Sequence, residues 1–229
     1  SARAFVDDWT RRGNTPQSII TDVFWPTYEL IDRLFRQDQL SRLSYHMSTR
    51  LLRQLADVVG QRLQRQPVNG KRVFACCGPE EAEELGAQMA VDMLEAAGYS
   101  VNFCGGGVPG DEILAQVQEN QPDVLLMFAS AARDLPAIRE IIDQLRTIGA
   151  CRKTQVVVGA GVFNRAEGLA EEIGADLWAA DPLDLVEMIT QAPERRMVEE
   201  QRTVGKKRVA PPANNRRIRP SDDQQRAAA

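Results

Sequence analysis

Two stretches of this 229-residue chain hold side chains whose types and spacing bear on chemistry. The first, FACCGPEEAEELG from Phe74 to Gly86, reads as a buried strand, a tight Gly-Pro turn and the start of an acidic helix. In an open α/β sheet that junction is where ligands usually sit. A nucleotide phosphate prefers glycines and a bare helix N-terminus, whereas Glu80, Glu81, Glu83 and Glu84 place four carboxylates there and repel it. The second stretch surrounds His46, the single histidine of the chain. One imidazole leaves no Ser-His or Cys-His arrangement away from position 46, and carboxylates at a helix start favour the macrodipole without any catalytic role. The expectation is a non-enzymatic protein.

Cys76, Cys77, Cys104 and Cys151 lack the paired spacing of a zinc site or a disulfide framework and are expected to be buried thiols. Cys77 as a thiolate ligand is disfavoured, because a strand end beside acidic residues keeps a thiol neutral. No apolar run approaches the roughly 20 residues of a membrane span, and the N-terminus lacks a signal-peptide core, so a cytoplasmic location without membrane contact is expected. Residues 194–229 hold ten Lys/Arg against five Asp/Glu; with a net charge of −4 overall, a +5 tail follows a −9 body.

The elements that must position these residues fall into four regions. Residues 1–66 are helical, with Ile19, Val23, Phe24, Tyr28, Ile31, Leu34 and Phe35 recurring at three- and four-residue steps, as do Leu43, Met47, Leu51, Leu55 and Val58. Thr15-Pro16 starts one helix, and Pro26 is expected to restart another after Trp25. Phe5, Trp9, Phe24, Trp25 and Phe35 form an aromatic set that suits a packed core better than a stacking face for a flat ring. Residues 67–70 read as a linker. Over 71–192 the period changes: KRVFACC, YSVNFC, PDVLLMFA, TQVVVGA and ADLWAA are short apolar runs between helical segments, the pattern of a five-stranded parallel sheet buried on both faces. The fold class is therefore α/β, a helical bundle followed by a flavodoxin- or Rossmann-like doubly wound sheet. The turn CGGGVPGDE lacks the dinucleotide fingerprint. Residues 193–229 lose periodicity and are expected to be a largely disordered basic tail.

The AAGY-x-V turn, the G-x-x-VP-x-x-E/D-I turn from Gly105 to Ile113 and VVVGAGVF-x(n)-EIGAD from Val156 to Asp176 resemble the cobalamin-binding module of methionine synthase, corrinoid carrier proteins and light-sensing transcription regulators. The resemblance implies a corrin ring held between bundle and sheet, with the nucleotide tail running into the carboxyl end of the strands. The family's D/E-x-H-x-x-G motif, whose histidine ligates cobalt from below, matches Glu81 to Gly86, with Glu83 in the histidine's place. A carboxylate is a harder, charged ligand and a poor substitute for imidazole. The S-x-L motif of the tail tunnel matches Ser130-Ala131-Ala132, and the Gly-Gly motif matches Gly159-Ala160, with Gly161 following. Val108 lies in the matching VP turn.

On the bundle side, light-sensing regulators carry a tryptophan and, eleven residues later, a Glu-His pair over the upper face of the ligand; the matching residues here are Phe35 and Tyr45-His46. By this resemblance His46 caps cobalt, or the metal of another tetrapyrrole, from above. A core or interface role for His46 stands beside that reading. The implied cofactor is adenosyl- or methylcobalamin, and the partners are cobalamin, a second protein or a second copy of the chain, with DNA reached only through a domain outside it. The leading expectation is a sensor module controlling transcription, with photoreceptor character. A corrinoid carrier for methyl transfer and a degenerate, cobalamin-free interaction scaffold are the alternatives.

Overall fold

The computed structural model describes residues 2–78, 84–149, 151–159 and 161–198. Helices α1 (Ala2–Arg11), α2 (Pro16–Ile19), α3 (Trp25–Arg36) and α4 (Arg42–Gly60) precede five strands, β1 (Arg72–Cys77), β2 (Ser100–Phe103), β3 (Val124–Phe128), β4 (Gln155–Gly159) and β5 (Leu177–Ala179). Between and after the strands run α5 (Leu85–Ala96), α6 (Gly110–Asn120), α7 (Leu135–Ile148), α8 (Gly161–Arg165), α9 (Leu169–Ile173) and α10 (Pro182–Gln191). All strand pairs are parallel, in the order β2-β1-β3-β4-β5, which is the flavodoxin-like doubly wound arrangement. β1, β3 and β4 are buried on both faces, and for this reason their sequences run apolar without alternation.

One face of the sheet packs Phe74, Cys76, Leu125, Met127 and Val158 against α6 and α7, and the other packs Ala75, Cys77, Leu126 and Val157 against α5 and α10. Helix α5 is apolar nearly all round because it is covered twice. Ala87, Ala90, Val91 and Leu94 meet the sheet, while Leu85, Met89 and Met93 join Val6, Ile19, Ile20, Phe24, Trp25, Tyr28, Leu52, Ala56 and Val59 in the bundle's core. The bundle is thus seated on α5.

Three local expectations are corrected. Pro26 does not restart a helix. The chain runs helically from Pro16 to Arg36 through a π-helical turn, Ile20–Phe24, in which the Trp25 amide donates to the Ile20 carbonyl. A proline cannot donate to the carbonyl four residues back, and the wider turn absorbs that loss. Residues 67–70 are no free linker, since Gln66 N donates to Ala96 O (2.7 Å) and Asn69 N to Gly98 O (2.9 Å), pinning the segment to the end of α5. The tail expectation falls mostly outside the described residues, but 193–198 is tied down. Gln155 donates to the carbonyls of Ala192 and Arg195, and Met197 N donates to Asp176 at 2.7 Å. Among the described residues, no helix is long and apolar enough to cross a membrane.

Candidate functional site

The carboxyl ends of β1, β3 and β4 form the crevice in which open α/β sheets bind ligands. Its floor begins at Gly78 and Glu84, on either side of the acidic turn. Glu83, the substitute for the lower histidine, lies with 79–83 outside the described residues. Helix α5 starts at Leu85 and carries no acidic side chain in its first turn. The carboxylate of Glu84 reaches away from the helix to accept a 2.6 Å hydrogen bond from Gly106 N in the β2–α6 loop, so it bridges two loops of the crevice instead of capping α5. Gly105 is in the left-handed region at φ +75°, and the Glu84 carboxylate occupies the space a Cβ would fill. Val108, farther along the same loop, packs partly buried against the α6–α7 core.

Gly86 is the position at which bundle and sheet domain meet. A Cβ there would lie 2.9 Å from Tyr28 Cε1 and 3.4 Å from Trp25 Cζ3, so the absence of a side chain lets the two aromatics settle on the backbone of α5. Trp25 and Tyr28 are 9% and 6% exposed, with ring centroids 5.7 Å apart. Around the π-helical turn, the adjacent residues Phe24 and Trp25 both enter this core.

Beyond Gly86, α3 reaches over the strand ends through a polar strap. Asp32 accepts from Arg36 Nε at 2.8 Å and pairs with Arg165 of α8 at 3.9 Å. Arg165 in turn donates to Ser130 O, tying α8 to the loop after β3. Gly161, at the start of α8, gives room to Arg165: its added Cβ would stand 2.6 Å from Nη1. Glu29, on the same helix as Asp32, has its pKa raised by burial and by the charge of Asp181. Gly159 lies under the ring of Phe128, 3.4 Å from where its Cβ would be. The gap left among Trp25, Tyr28, Asp32, Ser130, Gly161 and Arg165 is about 80 Å³.

The sequence-derived residues therefore divide into two places. Gly86, Ser130, Gly159 and Gly161 converge on the strand ends. Phe35, Tyr45 and His46 sit together where α3 ends and α4 begins: Tyr45 stacks on Phe35 at 4.3 Å, and exposed His46 stands edge-on to Tyr45 at 5.7 Å. No trio of His, Cys, Asp or Glu among the described residues is grouped to hold a metal. Trp25, Tyr28, Asp32 and Arg165 were not singled out as site residues. The three-residue spacing of Trp25 and Tyr28 marks them only as one apolar helix face, and their contact with Gly86 is visible only in the fold.

The model of the B12 binding domain matches residues 71–187. The chain belongs to the B12-binding domain family. Curated relatives of this B12-binding domain include a dimethylamine corrinoid protein of Methanosarcina mazei, 28% identical over 106 residues, and a corrinoid protein of Desulfitobacterium hafniense, 29% identical over 108. The matches cover 46% and 47% of this chain and 62% and 49% of those proteins, so the chain spans only about half to three fifths of the relatives it matches. In fold it is similar to the monomethylamine corrinoid protein of Methanosarcina barkeri, at TM-score 0.74 and 15% identity, over 81% of this chain and 88% of that one. It is also similar to the methanol:cobalamin methyltransferase complex of the same organism, at TM-score 0.52 and 20% identity, over 84% and 74%. Cobalamin is the cofactor that membership and these corrinoid relatives support. They lend no support to transcription control or photoreception, which were the leading expectations from sequence.

Among the described residues, the gap beside Trp25 and Tyr28 is too small for a corrin. A gap of about 80 Å³ holds a few water molecules, at about 30 Å³ each, while pockets for small ligands run to roughly 300–1,000 Å³. Trp25 and Tyr28 stand where bundle and α5 would have to part. A larger cavity, about 540 Å³ and lined by Lys71, Tyr99, Arg152, Gln155 and Arg196, lies at the opposite, amino-terminal edge of the sheet and has no relation to this seat.

Proposed function

We propose that this chain is a corrinoid-carrier-type module, non-catalytic by itself, which binds cobalamin between bundle and sheet and works with a methyltransferase partner. The observation that carries the reading is the seating of a four-helix bundle over the carboxyl edge of a 2-1-3-4-5 sheet through Trp25 and Tyr28 on Gly86. The names of the corrinoid relatives support the carrier role over the sensor role. Because Trp25 and Tyr28 fill the contact with Gly86, binding a corrin between bundle and sheet would require α3 to part from α5. Glu83 stands where the family's lower histidine would be, and a carboxylate would be a poor replacement for imidazole as a ligand to cobalt.

One observation favours a second reading, that of a cobalamin-free interaction scaffold: the seat is filled by the protein's own aromatics. The deciding experiment is reconstitution of the full chain with hydroxocobalamin and methylcobalamin in the dark, followed by desalting and a visible spectrum. The carrier reading expects a coloured protein with a base-on spectrum, carrying a methyl group that a corrinoid methyltransferase removes. A colourless eluate from both the native chain and Tyr28→Ala, with the circular dichroism of each retained, establishes the scaffold. A spectrum that changes on illumination returns the module to light sensing.

A further inference from the structure

The described part of the carboxyl edge contains one pair of chemically reactive groups that cobalamin binding does not use. β1 and β2 pair in parallel register from Arg72↔Ser100 to Ala75↔Phe103, so Cys76 and Cys104 each follow the last pair of the ladder. Past the end of β2 the ladder slips by one residue, yet the chains stay together: Cys104 N donates to Ala75 O at 3.0 Å, and Cys77 N donates to Gly105 O at 2.8 Å. Neighbouring strands lie about 4.7–4.9 Å apart, within the Cα separation of about 4.4–6.8 Å that a disulfide bridges. The two thiols are hydrogen-bonded to each other. Cys77 points to the opposite face, into the α5 side of the core, and Cys151 lies near Val117, whose carbonyl it reaches at 3.7 Å.

We propose that Cys76 and Cys104 are a redox-active dithiol that closes to a cross-strand disulfide on reaction with a low-molecular-weight disulfide such as glutathione disulfide. Cys104 is exposed and Cys76 is 1% exposed, which assigns their order of reaction. The Cys104 sulfur, as thiolate, attacks one sulfur of glutathione disulfide and expels glutathione thiolate, giving a mixed disulfide. Cys76 then gives up its proton to solvent, and its sulfur attacks Cys104 Sγ. The protein S–S bond forms as the second glutathione leaves. Two protein thiols are oxidised and one glutathione disulfide is reduced to two glutathiones. The hydrogen bond from Cys76 pushes the Cys104 pKa down, which favours it as the attacking thiol, whereas that same bond and burial raise Cys76. The bridge would tie the Gly105–Gly106 loop, which Glu84 already holds through Gly106 N, to the centre of the sheet. Redox state is thereby passed to the loop beside the acidic turn, whether or not the carrier reading holds.

The test is equilibration of the full-length protein in glutathione buffers of rising oxidised fraction, followed by acid quenching, alkylation, intact mass and peptide mapping. The four thiols of the chain should fall by two, with one linked peptide joining the Cys76 and Cys104 segments, and dithiothreitol should restore all four. Cys104→Ser and Cys76→Ser should each abolish the link, while Cys77→Ser and Cys151→Ser should leave it intact. Three outcomes overturn the proposal: four free thiols at every ratio, Cys104 stopping as a glutathione adduct in the native chain, or a linked peptide that pairs Cys104 with Cys77 or Cys151. Thiol counts need no bound cobalamin, so they are read separately from the colour test.

Discussion

Gly86 shows how a single missing side chain sets the relation between two parts of this protein. Its hydrogen faces Tyr28 Cε1 at a distance no Cβ tolerates, and Tyr28 is itself pressed between Trp25 and α5. Gly86→Ala improves local helix propensity by about 1 kcal/mol, yet overpacking in a filled core costs about 1–3 kcal/mol. The expected sum is a net loss of roughly 1 kcal/mol, read as a lower urea midpoint with unchanged slope. In a Tyr28→Ala background the same substitution should become stabilising, and a double-mutant cycle checks this. Asp92 is a second informative residue. It lies near the C-terminus of α4, where a Cβ on Gly60 would be 2.8 Å from its Oδ2, and burial raises its pKa to about 6. The unfolded chain loses this proton near the ordinary value of 3.8 while the folded chain keeps it to about 6. The unfolded state therefore binds fewer protons between those values, and this group's contribution to stability falls as pH rises through that window. Asp92→Asn is expected to raise stability at pH 7 by roughly 1–2 kcal/mol and to flatten the stability profile between pH 4 and 6, measured by urea titration across pH.

At the scale of elements, the question is what holds α3 over the strand ends. The Asp32–Arg165 pair spans 3.9 Å with Arg165 about a third exposed, and such pairs contribute about 0–1 kcal/mol. Truncating a buried Tyr or Trp to Ala costs about 3–5 kcal/mol. The apolar contact decides, and the strap steers. Asp32→Ala is thus expected to change stability by under about 1 kcal/mol and cobalamin uptake only slightly, whereas Tyr28→Ala should lower stability severalfold more and raise the rate of uptake. Stopped-flow absorbance with hydroxocobalamin separates the two; equal effects would show that the strap, not the aromatics, controls access. The π-helical turn belongs to this scale too. It accommodates the amide that Pro26 lacks, so Pro26→Ala should leave the fold intact, read as an unchanged circular dichroism spectrum.

For the whole molecule, the proposed binding can be read as thermodynamics. A ligand that binds the folded chain raises its stability by RT ln(1 + [L]/Kd), about 2.7 kcal/mol at a hundredfold excess over Kd, less whatever parting α3 from α5 costs. Cobalamin is expected to raise Tm by less than its affinity for the Tyr28→Ala protein would suggest, and calorimetry of both proteins with and without hydroxocobalamin measures the difference. The sheet itself was legible without coordinates. KRVFACC, PDVLLMFA and TQVVVGA are continuous apolar runs because both faces of β1, β3 and β4 are covered, and burial of that kind leaves its mark in composition. Gly86, Ser130, Gly159 and Gly161 were likewise placed by motif at the edge where they are found. Phe35, Tyr45 and His46 were grouped by resemblance, and the structure places their rings side by side. The thiols were read as buried, which holds for Cys76, Cys77 and Cys151 and fails for Cys104, where β2 has ended and the chain turns outward.

What the amino-acid order by itself determined is the kind of scaffold: periodicity and turn chemistry are local, and they specify a helical bundle, a doubly wound sheet and the motifs of a cobalamin-binding module. Whether that module stands open or shut was decided only in three dimensions. Trp25 and Tyr28 lie some sixty positions from Gly86 in the chain, and the fit of two rings onto a bare stretch of helix depends on packing between parts whose sequences carry no record of each other.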